Sequence, residues 1–253
     1  MLEQKTVAWF SSGVSSAVAT KLIIDEVDLI IYQHIDDQHE DTMRFVRECE
    51  EWFGKPILIQ QSPYKCVDNA CRGMAYVNGV HGAACTRLMK RRLRQEWESE
   101  NRFFNTFRYV WGFDNSKREK KRAEDRKEDM KEDDHIFPLI DKELSKQDAH
   151  AILARAGIKR PMMYDLGYPN NNCVGCVKGG MGYWNKIRID FPEVFASRAQ
   201  MERDIGHSCI NGCFLDELDP ERGRDMPIIL EECGAMCERY SPHLTTLSKE
   251  NSK

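Results

Sequence analysis

Two groups of residues in this chain could do chemistry, and the first is sulfur. Ten of the 253 residues are cysteine. Cys173 and Cys176 form a Cys-x-x-Cys turn in "NNCVGCVKGG", and further pairs stand at Cys209 and Cys213 and at Cys233 and Cys237. A Cys-x-x-Cys turn lets two thiolates converge on one metal ion. Joined by Cys233 and Cys237 it would make a closed tetrahedral zinc site. Without metal it would be a dithiol couple or an ordinary loop. Cys209 and Cys213 have helical i, i+4 spacing and read as core or as a fallback ligand pair. Cys49, Cys66 and Cys71 read as buried apolar residues, Cys49 on the apolar face of "TMRFVRECEEWF". The seven histidines show no metal-ligand spacing, although His34 and His39 flank Asp36.

The second group is a small hydroxyl-rich turn, "SSGVSS" (11–16), between the apolar run "KTVAWF" and the apolar-periodic segment that follows. A turn of Ser11, Ser12, Gly13, Ser15 and Ser16 at the start of a helix offers backbone N–H groups, hydroxyls and a favourable dipole to an oxyanion, most often a phosphate. It lacks the Lys-Ser/Thr ending of a P-loop, so that nucleotide-triphosphatase reading fails. The same residues also serve ordinary helix capping.

The elements that must position these groups alternate. Residues 5–10, 28–35, 56–61 and 107–113 read as strands, and 14–27, "EDTMRFVRECEEWFG" and about 86–98 as helices. "FPLIDKELSKQDAHAILARAG" reads as a short strand followed by a helix capped by Ser145 and stopped by Gly157. This alternation predicts an α/β fold, a parallel sheet with helices on both faces. Ligands of such sheets lie at the carboxyl ends of strands, where Ser11–Ser16 and Asp36–Glu40 belong. The run "NSKREKKRAEDRKEDMKEDD" (115–134) reads as a solvated helix or a disordered segment whose basic first half could face an anion.

A net charge of −4 gives no global field for nucleic acid, so a polynucleotide partner would have to meet a local basic patch. Arg87, Lys90, Arg91, Arg92 and Arg94 make one on the helix after Cys85. Lys186, Arg188 and Arg198, near Tyr183 and Trp184, suggest another that could hold a stacked base and its phosphates. No run is long and apolar enough for a membrane span, and no signal-peptide core opens the chain, so a cytoplasmic protein is expected. Clustered cysteines in a reducing compartment point to metal or redox chemistry rather than disulfides.

Six segments together resemble the phosphoadenosine phosphosulfate (PAPS) reductase family of the PP-loop, adenine-nucleotide alpha-hydrolase-like superfamily. "SSGVSS" resembles its Ser-Gly-Gly-x-Asp-Ser pyrophosphate loop, and "YQHIDDQHEDTMRFV" its second strand. "CTRLMKRR" is similar to a segment of the related DNA phosphorothioation sulfurtransferases. "WGFDNSKREKKRA" is similar to a Gly-x-Arg-x-x-Glu-x-x-x-Arg-Ala stretch at Gly112, Glu119, Arg122 and Ala123. "FPLIDKELSKQDAHAIL" and "PMMYDLGYPNNNCVGC" resemble the run that closes the domain. Two residues depart from the loop motif. Ser15 stands where the motif has Asp, removing a magnesium-facing carboxylate, and Ser12 stands where it has Gly. The Glu-Cys-Thr-Lys-Gly-Leu-His-type tail of the assimilatory reductases is missing.

The resemblance implies a PP-loop domain over residues 1–180 and a Cys-rich helical extension over 181–253 packed on it. ATP or a related adenylyl nucleotide, with magnesium, would sit at Ser11, Ser12, Gly13, Ser15, Ser16, Asp36, Asp37 and Gly112. Asp36, Lys90 and Arg122 would serve catalysis. A [4Fe–4S] cluster would use Cys85, Cys173, Cys176 and Cys233, with zinc as the alternative. The implied chemistry is activation of an acceptor by the nucleotide and sulfur transfer to it from a sulfur donor, the acceptor being a nucleic acid or a small molecule. A PAPS-reductase-like oxidoreductase and a catalytically inactive nucleotide-binding protein are the other two readings. The oligomeric state is not legible.

Overall fold

The computed structural model describes residues 2–227, 229 and 230. Cys233 and Cys237 lie outside the described residues. Five strands, β1 (Glu3–Phe10), β2 (Leu29–His34), β3 (Ile57–Gln61), β4 (Asn105–Val110) and β5 (Asp134–Ile136), form one sheet in the order β3-β2-β1-β4-β5. Every pairing is parallel. Central β1 is apolar on both faces because both are covered: Ala8 and Phe10 join one core, Val7 the other.

Each crossover is helical. The helix α1 (Val14–Leu22) follows β1, and α2 (Thr42–Phe53) lies between β2 and β3. α2 buries Phe45, Val46, Cys49, Trp52 and Phe53, and Gly54 closes it in the left-handed conformation. Between β3 and β4 come α3 (Val67–Met74) and a continuous helical stretch: α4 (Ala84–Thr86), one π turn (Arg87–Arg91) and α5 (Arg92–Asn101). The charged run forms a helix, α6 (Lys117–Asp129), whose described residues bury only Ala123. Ser116 caps it, accepting the Glu119 N–H at 3.3 Å.

After β5, Pro138 opens α7 (Pro138–Asp141). The short strand expected in "FPLID" therefore ends one turn earlier, because proline at the first helical position suits a helix and cannot continue a ladder. Ser145 and Asp148 form a capping box at the start of α8 (Lys146–Arg155). Three further helices follow: α9 (Met162–Asp165), α10 (Met181–Asp190) and α11 (Pro192–Ile205).

Two large clusters make up most of the core among the described residues, beside smaller ones around Val7 and Phe113. One cluster lies between the sheet and α1, α2 and α8. The other joins Ile35, Val67, Cys71, Cys85 and Met89 to Met163, Tyr168, Trp184, Met201 and Cys209. Residues of α10 and α11 thus share a core with the segment around Cys85. Cys209 and Cys213 are not on a helix: an Ile210–Cys213 bridge holds them in a loop, correcting the helical reading of their spacing. No helix among the described residues is long and apolar enough to cross a membrane.

Candidate functional site

The strand order reverses between β1 and β4, and in an open parallel sheet the crevice at such a reversal is where ligands bind. The Ser turn leaves β1 there, and Gly112 leaves β4. The two are in close contact: a Cβ on Gly112 would lie 2.4 Å from Ser16 Cα and 2.6 Å from Ser16 N. Gly112 therefore serves the turn by allowing β4 to press against the first turn of α1.

Most of the turn's hydroxyls are engaged in holding its shape. Ser16 Oγ donates to the Gly13 carbonyl at 2.8 Å and accepts from the Ser11 N–H at 3.2 Å. Ser12 has φ 55°, a left-handed conformation that suits the motif's glycine better than serine. Its buried side chain compensates through contacts. It donates to the Ser11 carbonyl at 2.6 Å and accepts from Gln38 Nε2 at 3.1 Å, while Asn171 Nδ2 donates to the Ser12 carbonyl at 2.8 Å. The half-buried Ser15 hydroxyl has no hydrogen-bond partner among the described residues, which leaves it available to a ligand. The Val14 N–H, at the start of α1, donates to Tyr164 Oη at 3.3 Å.

Asp36 and Asp37 leave β2 on the same side of the sheet with different environments. Asp36 is exposed, accepting from Gln61 Nε2 at 2.6 Å with His34 Nε2 at 3.5 Å. Asp37 is bound on both oxygens inside the protein. Oδ2 accepts the Val67 N–H at 2.6 Å at the start of α3, and Oδ1 meets the Arg198 guanidinium. A cleft of about 540 Å³ opens beside them, lined by Asp36, Asp37, Glu40, Val174, Glu193 and their neighbours. With Asp37 paired to Arg198, its other carboxylates are Asp36, Glu40 and Glu193, so the cleft is acidic.

The thiols lie in the second core. Tyr183 Oη accepts the Cys176 N–H at 2.8 Å and donates to the Cys173 carbonyl at 3.1 Å, bracing the Cys-x-x-Cys turn. Gly175, between the cysteines, has φ 69°, and a Cβ there would meet Val194 at 2.6 Å, so both backbone and packing select glycine. Burial pushes the Cys173 thiol up to about 12. Cys176, Asp37 and Cys85 add to this and Lys90 opposes it. Burial also raises Cys85, reinforced by Cys176 and opposed by Lys178 and Lys90. Cys85, Cys173 and Cys176 are therefore electrostatic neighbours, with Lys90, on the π turn, acting on Cys85 and Cys173 and Lys178 acting on Cys85. Three sulfurs with lysines beside them fit a thiolate-bound group in kind. They do not fit it in number: among the described residues no three His, Cys, Asp or Glu side chains form a group that could hold a metal ion.

The remaining expectations are placed as follows. Arg122 is exposed on α6, with Nη1 on Glu119 at 2.6 Å and its guanidinium 4.6 Å from the Phe113 ring centre, and no contact ties it to the Ser turn. The second basic-aromatic patch is corrected. Arg198 is buried against Asp37, and Lys186 pairs with Asp190 at 2.8 Å. Arg188 donates to the Leu218 carbonyl at 2.7 Å, and Trp184 is fully buried. Those cations are spent on internal acceptors, so none of that patch offers an open stacking surface.

Against protein-family models, the chain matches the phosphoadenosine phosphosulfate reductase domain over residues 5–179. The chain belongs to this family. Comparison with curated proteins finds no match. The PAPS reductase domain thus takes in the sheet, the Ser turn and the Cys-x-x-Cys turn together.

Two connectors inside this domain, Asn171 and Tyr164, are passed over by sequence reasoning, and Arg198, beyond it, is read there only as part of a basic patch. Asn171 stands two residues before Cys173 and bonds to Ser12. Tyr164 caps α1, and Arg198 joins Asp37 to the Cys-x-x-Cys turn through a 3.4 Å bond from Nε to the Gly175 carbonyl. "YDLGYPNNNC" carried the signal for the first two as a polar run within an apolar segment. For Arg198 the sequence signals charge but not burial.

His150 packs edge-on against Tyr164 with ring centres 4.5 Å apart, and both ring nitrogens are buried without partners. Burial, with Arg160 and Lys146 nearby, lowers it from 6.5 to about 3. The unfolded chain therefore binds a proton below pH 6.5 that the folded one refuses. The resulting stability is complete above 6.5 and is lost as pH falls towards 3, at up to roughly 1.4 kcal/mol per pH unit from this group. His150→Phe is expected to flatten that slope and to hold or raise stability at pH 7. Urea unfolding at pH 7 and pH 5 measures both, and an unchanged slope would refute the assignment.

Proposed function

We propose that this PAPS reductase family member binds ATP or a related adenylyl nucleotide at Ser11–Ser16 and uses it to activate an acceptor for sulfur transfer. The observation that supports this most is the bond from Asn171 Nδ2 to the Ser12 carbonyl at 2.8 Å. It fastens the phosphate-binding turn to the segment carrying Cys173, so nucleotide and sulfur chemistry would share one wall of the crevice.

In this reading an acceptor oxygen attacks the α-phosphorus, the bond to the bridging oxygen breaks, and pyrophosphate leaves. The N–H groups of the turn and the free Ser15 hydroxyl stabilise charge on the phosphates. A sulfur nucleophile from the donor then forms the new bond at the activated centre, and AMP leaves with the electron pair. Asp36, exposed at the end of β2, is the carboxylate available to magnesium. Lys90 partly opposes the burial that keeps the Cys85 and Cys173 thiols protonated. A [4Fe–4S] cluster, which would supply a carrier for sulfide, would require Cys85, Cys173 and Cys176 to draw together around it, with Cys233 outside the described residues. Zinc at the Cys-x-x-Cys turn is the alternative, and would be a structural clasp.

Two measurements test this. Anaerobic purification is expected to yield about four irons and four sulfides per chain, lost in Cys85→Ala and in Cys173→Ala. One zinc lost only with Cys173 would remove the sulfur-carrying step. ATP-dependent pyrophosphate release with sulfide and candidate acceptors tests the activation. Tight ATP binding without turnover would instead identify a binding protein, the reading that Ser15 favours by replacing the motif's carboxylate. Release of sulfite from PAPS with a thiol donor would identify an oxidoreductase.

A further inference from the structure

We propose that the groove between α6 and the π turn with α5 binds the phosphate backbone of a nucleic-acid strand, through Arg91 and Arg94 on one side and Arg118, Arg122 and Arg126 on the other. This deepens the reading above by naming the acceptor's class, and rests on that reading for the reaction but not for the binding.

Arg118, Arg122 and Arg126 recur every fourth residue and so share one face of α6, over about 12 Å of helix. Arg94 Nη1 touches Met130 Sδ at the end of α6, which brings the two helices together. Arg126 feels the positive charges of Arg94, Arg122 and Arg91, and burial and these neighbours hold its guanidinium below the ordinary arginine range. It lies 4.9 Å from the Trp111 ring centre, and its buried Nε has no hydrogen-bond partner.

Carboxylates answer this charge only in part. Glu119 pairs with Arg122 at 2.6 Å and Glu98 with Arg94 at 3.7 Å, while Asp129 acts on Arg126 from a distance. Arg91, Arg118 and Arg126 have no ion-pair partner among the described residues. Like charges gathered around a half-buried guanidinium oppose folding unless an anion joins them. Planar guanidinium groups suit phosphate oxygens, which they contact in pairs.

The groove's ends explain why a strand fits better than one phosphate group. Lys146, acted on by Asp114, Glu119 and Arg118, lies 6.0 Å from the ring centre of Tyr164, the cap of the phosphate-binding turn. At the other end, Arg91 follows Lys90, the cation beside Cys85 and Cys173. A linear polyanion in the groove would therefore pass from the nucleotide turn towards the thiols. The chain's net charge of −4 confines such binding to this patch.

Fluorescence anisotropy of the full chain with a labelled single-stranded oligonucleotide, over a range of salt concentrations, tests the proposal. For the Arg91→Gln, Arg126→Gln double variant, affinity is expected to fall on the order of tenfold at low salt. The slope of log K against log salt should drop by about 1.4, two phosphate contacts' worth. Because the variant removes mutually repelling charges, its melting temperature should not fall. The exposed Arg118→Gln is expected to lose about 0.7 of slope with no change in melting. Unchanged affinity and slope in both variants would overturn the proposal. So would tripolyphosphate displacing the oligonucleotide with the same salt dependence, which would identify a small-anion site. ATP binding measured in the same variants separates the two readings: its absence would remove the nucleotide-dependent function while leaving the groove.

Discussion

Asp37→Ala is expected to cost about 3–5 kcal/mol of stability, a drop in melting temperature of roughly 6–20 °C for a chain of this size. The residue shows little sign of this in sequence, where it is one of two adjacent aspartates. In the fold its carboxylate is the partner of Arg198, which is 4% exposed, and also accepts the first N–H of α3. Its carbonyl accepts the Val174 N–H at 2.8 Å, tying it to the Cys-x-x-Cys turn. Removing the carboxylate leaves a guanidinium buried and uncompensated, the costly half of a broken pair. Arg198→Met in the same chain removes that charge and should restore a large part of the loss, a coupling that a double-mutant cycle reads directly. If Asp37→Ala and Arg198→Met add independently, the pair does not act as a unit. Asp37 therefore works as a clamp, and Asp36 is the carboxylate open to a ligand.

Gly112→Ala is expected to abolish or strongly weaken nucleotide binding while costing the fold about 1–3 kcal/mol. The added methyl would meet the Ser16 backbone at 2.4 and 2.6 Å, closer than any real contact. Neither side can easily give way. The preceding residue is pinned through the Trp111 N–H to the Ile136 carbonyl at 3.0 Å, and the turn is pinned through Tyr164 and Asn171. The strain falls on the N–H groups that would cradle phosphate, so binding suffers more than stability. Gly180→Ala is the control, since Gly180 has φ −82° and open space around its added Cβ. ATP titration and thermal melting of the two variants compare them, and equal affinities would show that the strand end does not shape the turn.

The elements of this fold were legible for a simple reason. Short apolar runs and amphipathic stretches are local patterns, so four of the five strands and the main helices fall close to where they were expected. "FPLID" was misread because its apolar residues suit either state and only the position of Pro138 decides. Cys209 and Cys213 do join a core as expected, but not on a helix, because i, i+4 spacing is necessary for a shared helix face and not sufficient for a helix. The basic-aromatic patch at Lys186, Arg188 and Arg198 looked like a binding surface because sequence reports charge and not exposure.

The sequence by itself determined the chain's family, its parallel α/β architecture, and the presence of a Ser-rich turn and a Cys-x-x-Cys turn, since all of these reside in short contiguous segments. Only the tertiary structure decided how they act together. It placed Asn171 between turn and thiols, assigned one aspartate to solvent and the next to a buried arginine, set Gly112 against Ser16, and gathered arginines from two helices. Each depends on distances between residues far apart in the chain, and those distances are set by how the helices pack across the sheet.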